Sequence, residues 1–225
     1  MSALLLDIPL SRNCKDYSGK RNHGTVGGVP NWVCTKYGPA LNTGASAGYV
    51  VGGLVNGGIG TSDLTCEVWI QGAETNACFL SLGTQGNDVR MQYGNTGVIF
   101  VHGGDINGMP IVPSSAVFDG RPHQLVGRRV GGIMSIFLDG VFKGSVTQTV
   151  RSITSTFRIG GAEFSGSTVS IPNNTTLFGA KVLLRGKADA EILRDYQQFT
   201  RRKAAWWWAQ QQYGRRRRIF ALGGI

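Results

Sequence analysis

Thirteen acidic residues are spread through this 225-residue chain, and none forms the paired spacing that acid–base hydrolysis needs. Glycoside hydrolysis takes two carboxylates flanking the scissile bond, which on a strand must alternate to face one cleft. Glu67, Glu74, Asp88, Asp105 and Glu163 have no such partner in the sequence. Glu67 alone is embedded in an apolar run, Leu64-Thr65-Cys66-Glu67-Val68-Trp69, where it should face opposite Cys66 and Val68. A structural ion pair or a solvent-facing side chain is expected for it, because catalytic acids and bases come in pairs with opposed environments. His23, His102 and His123 have no Cys or Ser beside them in a nucleophile-like context, so hydrogen-bonding roles are expected. Cys14, Cys34, Cys66 and Cys78 are too far apart for a zinc ribbon or a redox pair, and free thiols are expected. Asp16, Asp105, Asn107, Asn173 and Asn174 carry the hard oxygen donors that calcium takes. Asx residues also fill ordinary turns for their own backbone bonding, and that is the preferred reading. No enzyme and no cofactor are expected; calcium is the one metal left open.

The other chemistry-bearing segment is the C-terminal tail. Arg201, Arg202, Trp206, Trp207, Trp208, Tyr213, Arg215, Arg216, Arg217, Arg218 and Phe220 all fall within it. From 201 to 225 there are seven Lys or Arg and no acid, so this stretch holds most of the formal net charge of +10. Arginine clusters neutralise phosphates and tryptophan stacks on bases, so nucleic acid is one candidate partner. A basic, aromatic helix can lie on a membrane surface, and a charged terminus can stay disordered, although such termini lack tryptophan runs. Trp, Tyr and Arg are also the residues enriched in protein–protein hot spots. A docking arm that clamps a protein partner is preferred over nucleic acid, with these eleven residues as its contacts.

The elements that must position these groups are β-strands. Runs at Asp63–Gln71, Cys78–Leu82, Val89–Tyr93, Gly97–His102, His123–Val130, Gly132–Leu138, Phe157–Ile159 and Leu177–Leu184 mix β-formers with small or polar residues at a period of two. Glycine is about twice as frequent as usual, 34 of 225, without a collagen period. Gly131-Gly132 and Asp139-Gly140 are hairpin signals. Only the segment after Asp189 has helical spacing, through Ile192, Tyr196 and Phe199, and it could extend to Gln212. Gly160–Thr176, rich in Ser, Thr, Asn and Gly, is expected to be a long surface loop. The pattern predicts an all-β, antiparallel sandwich. The apolar run after Met1-Ser2 is too short for a signal sequence and has no basic leader, so synthesis in a cytosol is expected. No run approaches a membrane span, and no membrane insertion is expected.

Several of these pieces, in order, resemble the laminin-G-like (concanavalin A-like) jelly-roll family. Leu6-Asp7-Ile8-Pro9-Leu10 and Lys15-Asp16-Tyr17-Ser18-Gly19-Lys20-Arg21-Asn22-His23-Gly24 are similar to its first strand and the turn that follows. Thr65 to Ile70 resembles its core strand with a buried tryptophan, and Asp119 to Val126 and Ile136 to Gly140 its hairpin strands. Ile159-Gly160-Gly161 and the stretch from Phe178-Gly179 to Ile192 are similar to its last turn, strand and helix. The acidic pair that can bind calcium in that family is replaced by Ala180-Lys181, and its capping serine by Ala188. The resemblance therefore implies the fold, a jelly-roll β-sandwich with a C-terminal helix over residues 1–199 and a basic, aromatic tail over 200–225, and no metal site.

A jelly roll of this kind, without a secretion signal and ending in a Trp/Arg arm, resembles bacteriophage virion proteins. That implies a non-enzymatic structural or decoration protein of the virion, made in the host cytoplasm, with capsid or tail subunits and further copies of itself as partners. The alternative is a carbohydrate-binding adhesin that recognises a host surface glycan. A glycoside hydrolase ranks last.

Overall fold

The computed structural model describes residues 4–29, 31–43, 49–54, 59–72, 78–84, 86–94, 96–103, 108–153, 156–164, 167–169 and 175–202. Its strands are β1 (Leu4–Ile8), β2 (Thr25–Gly27), β3 (Asn31–Thr35), β4 (Gly38–Asn42), β5 (Tyr49–Gly53), β6 (Leu64–Gln71), β7 (Cys78–Thr84), β8 (Asn87–Tyr93) and β9 (Gly97–His102). They continue as β10 (Val112–Pro113), β11 (His123–Val130), β12 (Ile133–Leu138), β13 (Val141–Thr147), β14 (Thr156–Ile159), β15 (Ala162–Phe164), β16 (Ser167–Val169) and β17 (Thr176–Leu183). A single turn of helix, α1 (Ser114–Val117), precedes β11, and a longer helix, α2, runs over residues 189–202.

Two antiparallel sheets form the sandwich. The first has the order β13-β12-β11-β6-β17-β4-β3, with β1 also paired to β17; the second has the order β10-β9-β8-β7-β14-β5-β2. Every pairing between these strands is antiparallel, which is the fold class that the alternation predicts. Side chains of alternate positions meet between the sheets: Cys66, Val68 and Ile70 of β6 join Met134, Ile136 and Leu138 of β12, Phe100 of β9 and Phe157 of β14 in one core. Asp139 and Gly140 both have positive φ, 54° and 80°, and so do Gly131 and Gly132, as two-residue hairpin turns require. Gly160–Thr176 departs from the expected loop. Within it β15 and β16 pair antiparallel, Glu163 opposite Thr168, since Ser and Thr are tolerated in a short hairpin that their composition does not announce.

The opening turn is held by one carboxylate. Asp16 is buried, and it accepts bonds from the backbone N–H of Asp7 (2.9 Å), Ser18 (2.9 Å) and Asn22 (2.9 Å) and from the Ser18 hydroxyl (2.7 Å). Asn22 Nδ2 donates to the Leu5 carbonyl at 2.7 Å, and the Asp16 N–H donates to His23 Nδ1 at 3.1 Å. The turn is thereby stapled to β1. Burial would raise the Asp16 pKa, but the bonds it accepts outweigh this and hold it below 3.8. His123 plays a comparable part where β11 meets the Asp139 turn: its ring lies 2.8 Å from Asp139 and 2.9 Å from Asp119. Burial opposes its charge, yet the two carboxylates win and raise its pKa above 6.5. His102 is pushed the other way, to about 4, by burial and by the nearby Arg129. All four cysteines are free thiols; Cys14, Cys66 and Cys78 are buried and Cys34 is exposed.

These two groups set opposite limits on stability. The Asp16 contribution is present above the unfolded pKa near 3.8 and is lost as pH falls through its lower folded value. The His123 contribution is complete below about 6.5 and is lost as pH rises through its raised folded value. Urea melts should therefore weaken both below pH 3.8 and above pH 6.5. Asp16→Ala, which orphans buried donors, should cost about 3 kcal/mol at neutral pH. His123→Gln should flatten the alkaline limb; an unchanged limb would remove His123 from this account.

Candidate functional site

The outward row of β6 is Glu67, Trp69 and Gln71, opposite the core residues Cys66, Val68 and Ile70. In an ordinary sandwich such a row meets water. Here α2 lies over it, and Glu67 has no exposed surface. The expected ion pair is present, with Lys187 as partner, and it is not solvent-facing. Lys187 bridges Glu67 to Asp195 on α2, and Gln124 Nε2 lies 3.4 Å from the other Glu67 oxygen. Burial works against the charge of Lys187, but the two carboxylates outweigh it and keep the ammonium protonated; burial also pushes the Glu67 carboxyl up, with Lys187 pulling it back.

The start of α2 is fastened too. Arg185 makes two bonds of 2.7 Å to Glu191, and Glu191 also accepts the Ala188 backbone N–H at 3.0 Å. This is half of a capping box, working without the serine. Asp189, in the first turn of α2, lies 2.6 Å from Arg128. Ile192 packs on Val126 and Phe137. Phe199 stacks on Trp69 with ring centroids 5.3 Å apart, so the tryptophan of the core-strand motif is buried on the outer face of its sheet, beneath α2, and not between the sheets.

Beside α2 the edge of β17 is shared by two strands. β4 pairs with Thr176 and Leu177, and β1 pairs from Ala180 to Leu183, so the edge opens at Phe178 and Gly179. β17 also slips register against β6 between Leu177 and Gly179. Gly179 admits the end of β1: a Cβ there would lie 3.1 Å from the Ile8 carbonyl oxygen and 3.2 Å from Pro9 Cα. A pocket of about 600 Å³ occupies the opening. Trp69, Phe178 and Pro39 line its floor; Asp7, Tyr17, Tyr37 and Lys181 border it; and α2 contributes Asp195, Gln198, Phe199 and Arg202. The α2 residues recur at the spacing of one helical face. Tyr37 meets Phe178 edge-on at 6.5 Å, and Tyr17 is 55% exposed. Lys181 Nζ is 3.7 Å from Asp7, whose carboxyl is raised by burial and partly restored by Lys181. The buried Trp69 Nε1–H has no hydrogen-bond partner among the described residues.

Of the residues assigned to the docking arm, Arg201 and Arg202 lie exposed in the last described turn of α2, and Arg202 borders the pocket. Trp206, Trp207, Trp208, Tyr213, Arg215, Arg216, Arg217, Arg218 and Phe220 lie outside the described residues, as do Asp105, Asn107, Asn173 and Asn174 among the oxygen donors considered for calcium. The Asp16 carboxylate is occupied by backbone and hydroxyl donors. Among the described residues no three His, Cys, Asp or Glu gather in a metal-holding group, and no helix is long and apolar enough to cross a membrane. The pocket itself was not anticipated. Its only local signal is the pair of aromatics on neighbouring outward positions, Trp69 and Phe178, and nothing local signals the split edge.

Buried and exposed ion pairs should respond differently. Lys187→Ala leaves Glu67 buried without a counter-charge and should cost about 3–5 kcal/mol. Arg185→Ala breaks a pair that is 41% and 28% exposed and should cost no more than about 1 kcal/mol. Chemical denaturation of the two variants measures the contrast; equal losses would refute the ionic anchoring of α2.

No protein-family model and no curated protein matches the chain. Solved structures do resemble it in fold. The binding domain of Paraclostridial Mosquitocidal Protein 1 superposes with a TM-score of 0.69 at 12% identity, over 87% of this chain and 52% of that one. The receptor binding domain of botulinum neurotoxin D gives 0.68 at 14%, over 87% and 52%. Domain 4 of AbnA, an extracellular GH43 arabinanase from Geobacillus stearothermophilus solved with arabinotriose, gives 0.65 at 13%, over 86% and 98%. This chain thus spans about half of the two toxin domains and nearly all of the arabinanase domain. At these identities the likeness is one of fold: the chain has the β-sandwich of domains that serve in binding.

Proposed function

We propose that this chain is a non-enzymatic recognition module. The sandwich presents the pocket beside α2 to a neutral saccharide of a cell surface, and the Trp/Arg segment after α2 anchors the module to subunits of a larger particle, a bacteriophage virion. The observation that carries the recognition half is the pocket's make-up: an aromatic floor within a border of two carboxylates, Asp7 and Asp195, and two cations, Lys181 and Arg202. A sugar ring offers apolar C–H faces to aromatic surfaces, and its hydroxyls both donate and accept, which suits a border that mixes both signs of charge. The solved binding domains of the same fold support recognition in general. Hydrolysis has no part in this reading, since Glu67 is closed in by Lys187, Gln124 and α2. The virion half rests on the composition of the tail and on the resemblance to phage proteins.

Glycan arrays followed by calorimetry test the pocket. Tyr17→Ala and Arg202→Gln alter exposed border residues, so the fold should survive while affinity falls roughly tenfold. Binding that survives both changes, or no binding by the intact protein, would sink the saccharide reading. Deleting residues 203–225 tests the anchor. The shortened chain should stay folded and keep its saccharide affinity, yet be absent from assembled particles. Incorporation at the intact level, or release of the intact protein at modest salt together with nucleic acid, would overturn the protein-clamp role.

A further inference from the structure

We infer that the ligand is a linear oligosaccharide lying across two adjoining hollows, the pocket beside α2 and a second, shallower one of about 750 Å³ on the same outer face. This extends the saccharide reading and rests on it. The hollows follow one another along the sheet. On β6 the outward positions step from Trp69, in the first, to Gln71, in the second; on β17 they step from Phe178 to Thr176. Positions two apart on a strand are separated by roughly 6.8 Å, so the two hollows adjoin.

Tyr37 borders both hollows and stands between them. It sits at the tip of the β3–β4 hairpin, where its backbone N–H donates to Thr35 Oγ1 at 3.0 Å and Thr35 Oγ1 in turn donates to the Gly38 carbonyl at 2.9 Å. The ring is thus carried on a fixed turn and offers apolar surface to a chain crossing from one side to the other. The second hollow has the polar groups of a hydroxyl-binding surface. Gln71 Nε2 donates to the Gly120 carbonyl at 2.8 Å, which orients the amide and leaves Oε1 to accept. Thr176 Oγ1 accepts from Asn42 Nδ2 at 3.1 Å and keeps its own proton to donate. Phe118 closes one side with a second aromatic surface, and Lys36 is the one charged group among the described residues of the lining. Amides and hydroxyls between two aromatic rings suit the hydroxyls and apolar ring faces of a neutral sugar.

The test is the dependence of affinity on chain length. Calorimetry with the full-length protein would use neutral arabino-, xylo- and gluco-oligosaccharides, from single sugars to hexasaccharides. For the chemistry that binds, affinity should rise by roughly tenfold with the unit that first reaches the second hollow and then level off. Gln71→Ala and Thr176→Val should return long chains to the affinity of short ones and leave the shortest binder unchanged, a split that general destabilisation does not produce. Affinity independent of length, or equal losses for short and long chains in these variants, would overturn the two-hollow inference while the pocket reading stands. No binding by any member of the series would remove the pocket reading, and this extension with it.

Discussion

Glu67, Lys187 and Asp195 form the connection on which the outer face of this sandwich depends. A carboxylate at the centre of a sheet, with no exposed surface, is costly unless paired, because desolvation removes far more than an unscreened bond returns. Lys187 supplies the pairing from the chain just ahead of α2, and Asp195 extends it one helical turn and more into α2. With both ends of that bridge set, the helix has one position along the sheet. Phe199 then falls on Trp69, and Gln198 and Arg202 on the flank of the pocket. Arg185, Glu191 and Arg128 reinforce the start of the helix from more exposed positions, where ion pairs contribute less.

The same placement makes a recess out of a strand defect. β17 is paired along its length to β6 on one side, while two short strands divide its other side. A divided edge leaves backbone and side chains that need cover, and α2 covers only one margin. The remainder is a recess with charged borders beside an exposed tyrosine, its aromatic floor largely buried. A sheet face that serves only as a surface would carry scattered polar side chains; here the outward row runs Glu67, Trp69, Gln71, changing from ionic anchor to aromatic side chain to amide within five residues. The anchoring of α2 and the proposed recognition are thereby adjacent on one strand. The half of α2 that borders the proposed ligand site, from Asp195 to Arg202, is also the half that precedes the Trp/Arg segment in the sequence.

Much of the frame is legible in the residues because it is local. The strands, the Asp139-Gly140 and Gly131-Gly132 turns and the helix after Ala188 follow from alternation, positive-φ residues and helical spacing, all settled within a few neighbours. The Asp16 turn is equally local, since its donors lie within nine residues of it. The β15–β16 hairpin was missed because Ser, Thr and Gly signal loop and short hairpin alike. Trp69 is buried, as the resemblance implies, but what buries it is not local. Period two places Trp69 opposite Val68, but the residues alone do not say that both faces of β6 are covered.

What the sequence by itself determined is the antiparallel sandwich, the absence of a paired-carboxylate motif and the segregation of basic and aromatic residues into the final segment. What only the tertiary structure decided is the partner of Glu67, 120 residues away, the opening of β17 where β1 and β4 part, and the nearness of two hollows along one face. Periodicity and turn chemistry act through neighbours on the chain, whereas an ion pair, a strand register and a recess are made by segments that meet only once the sheets are closed.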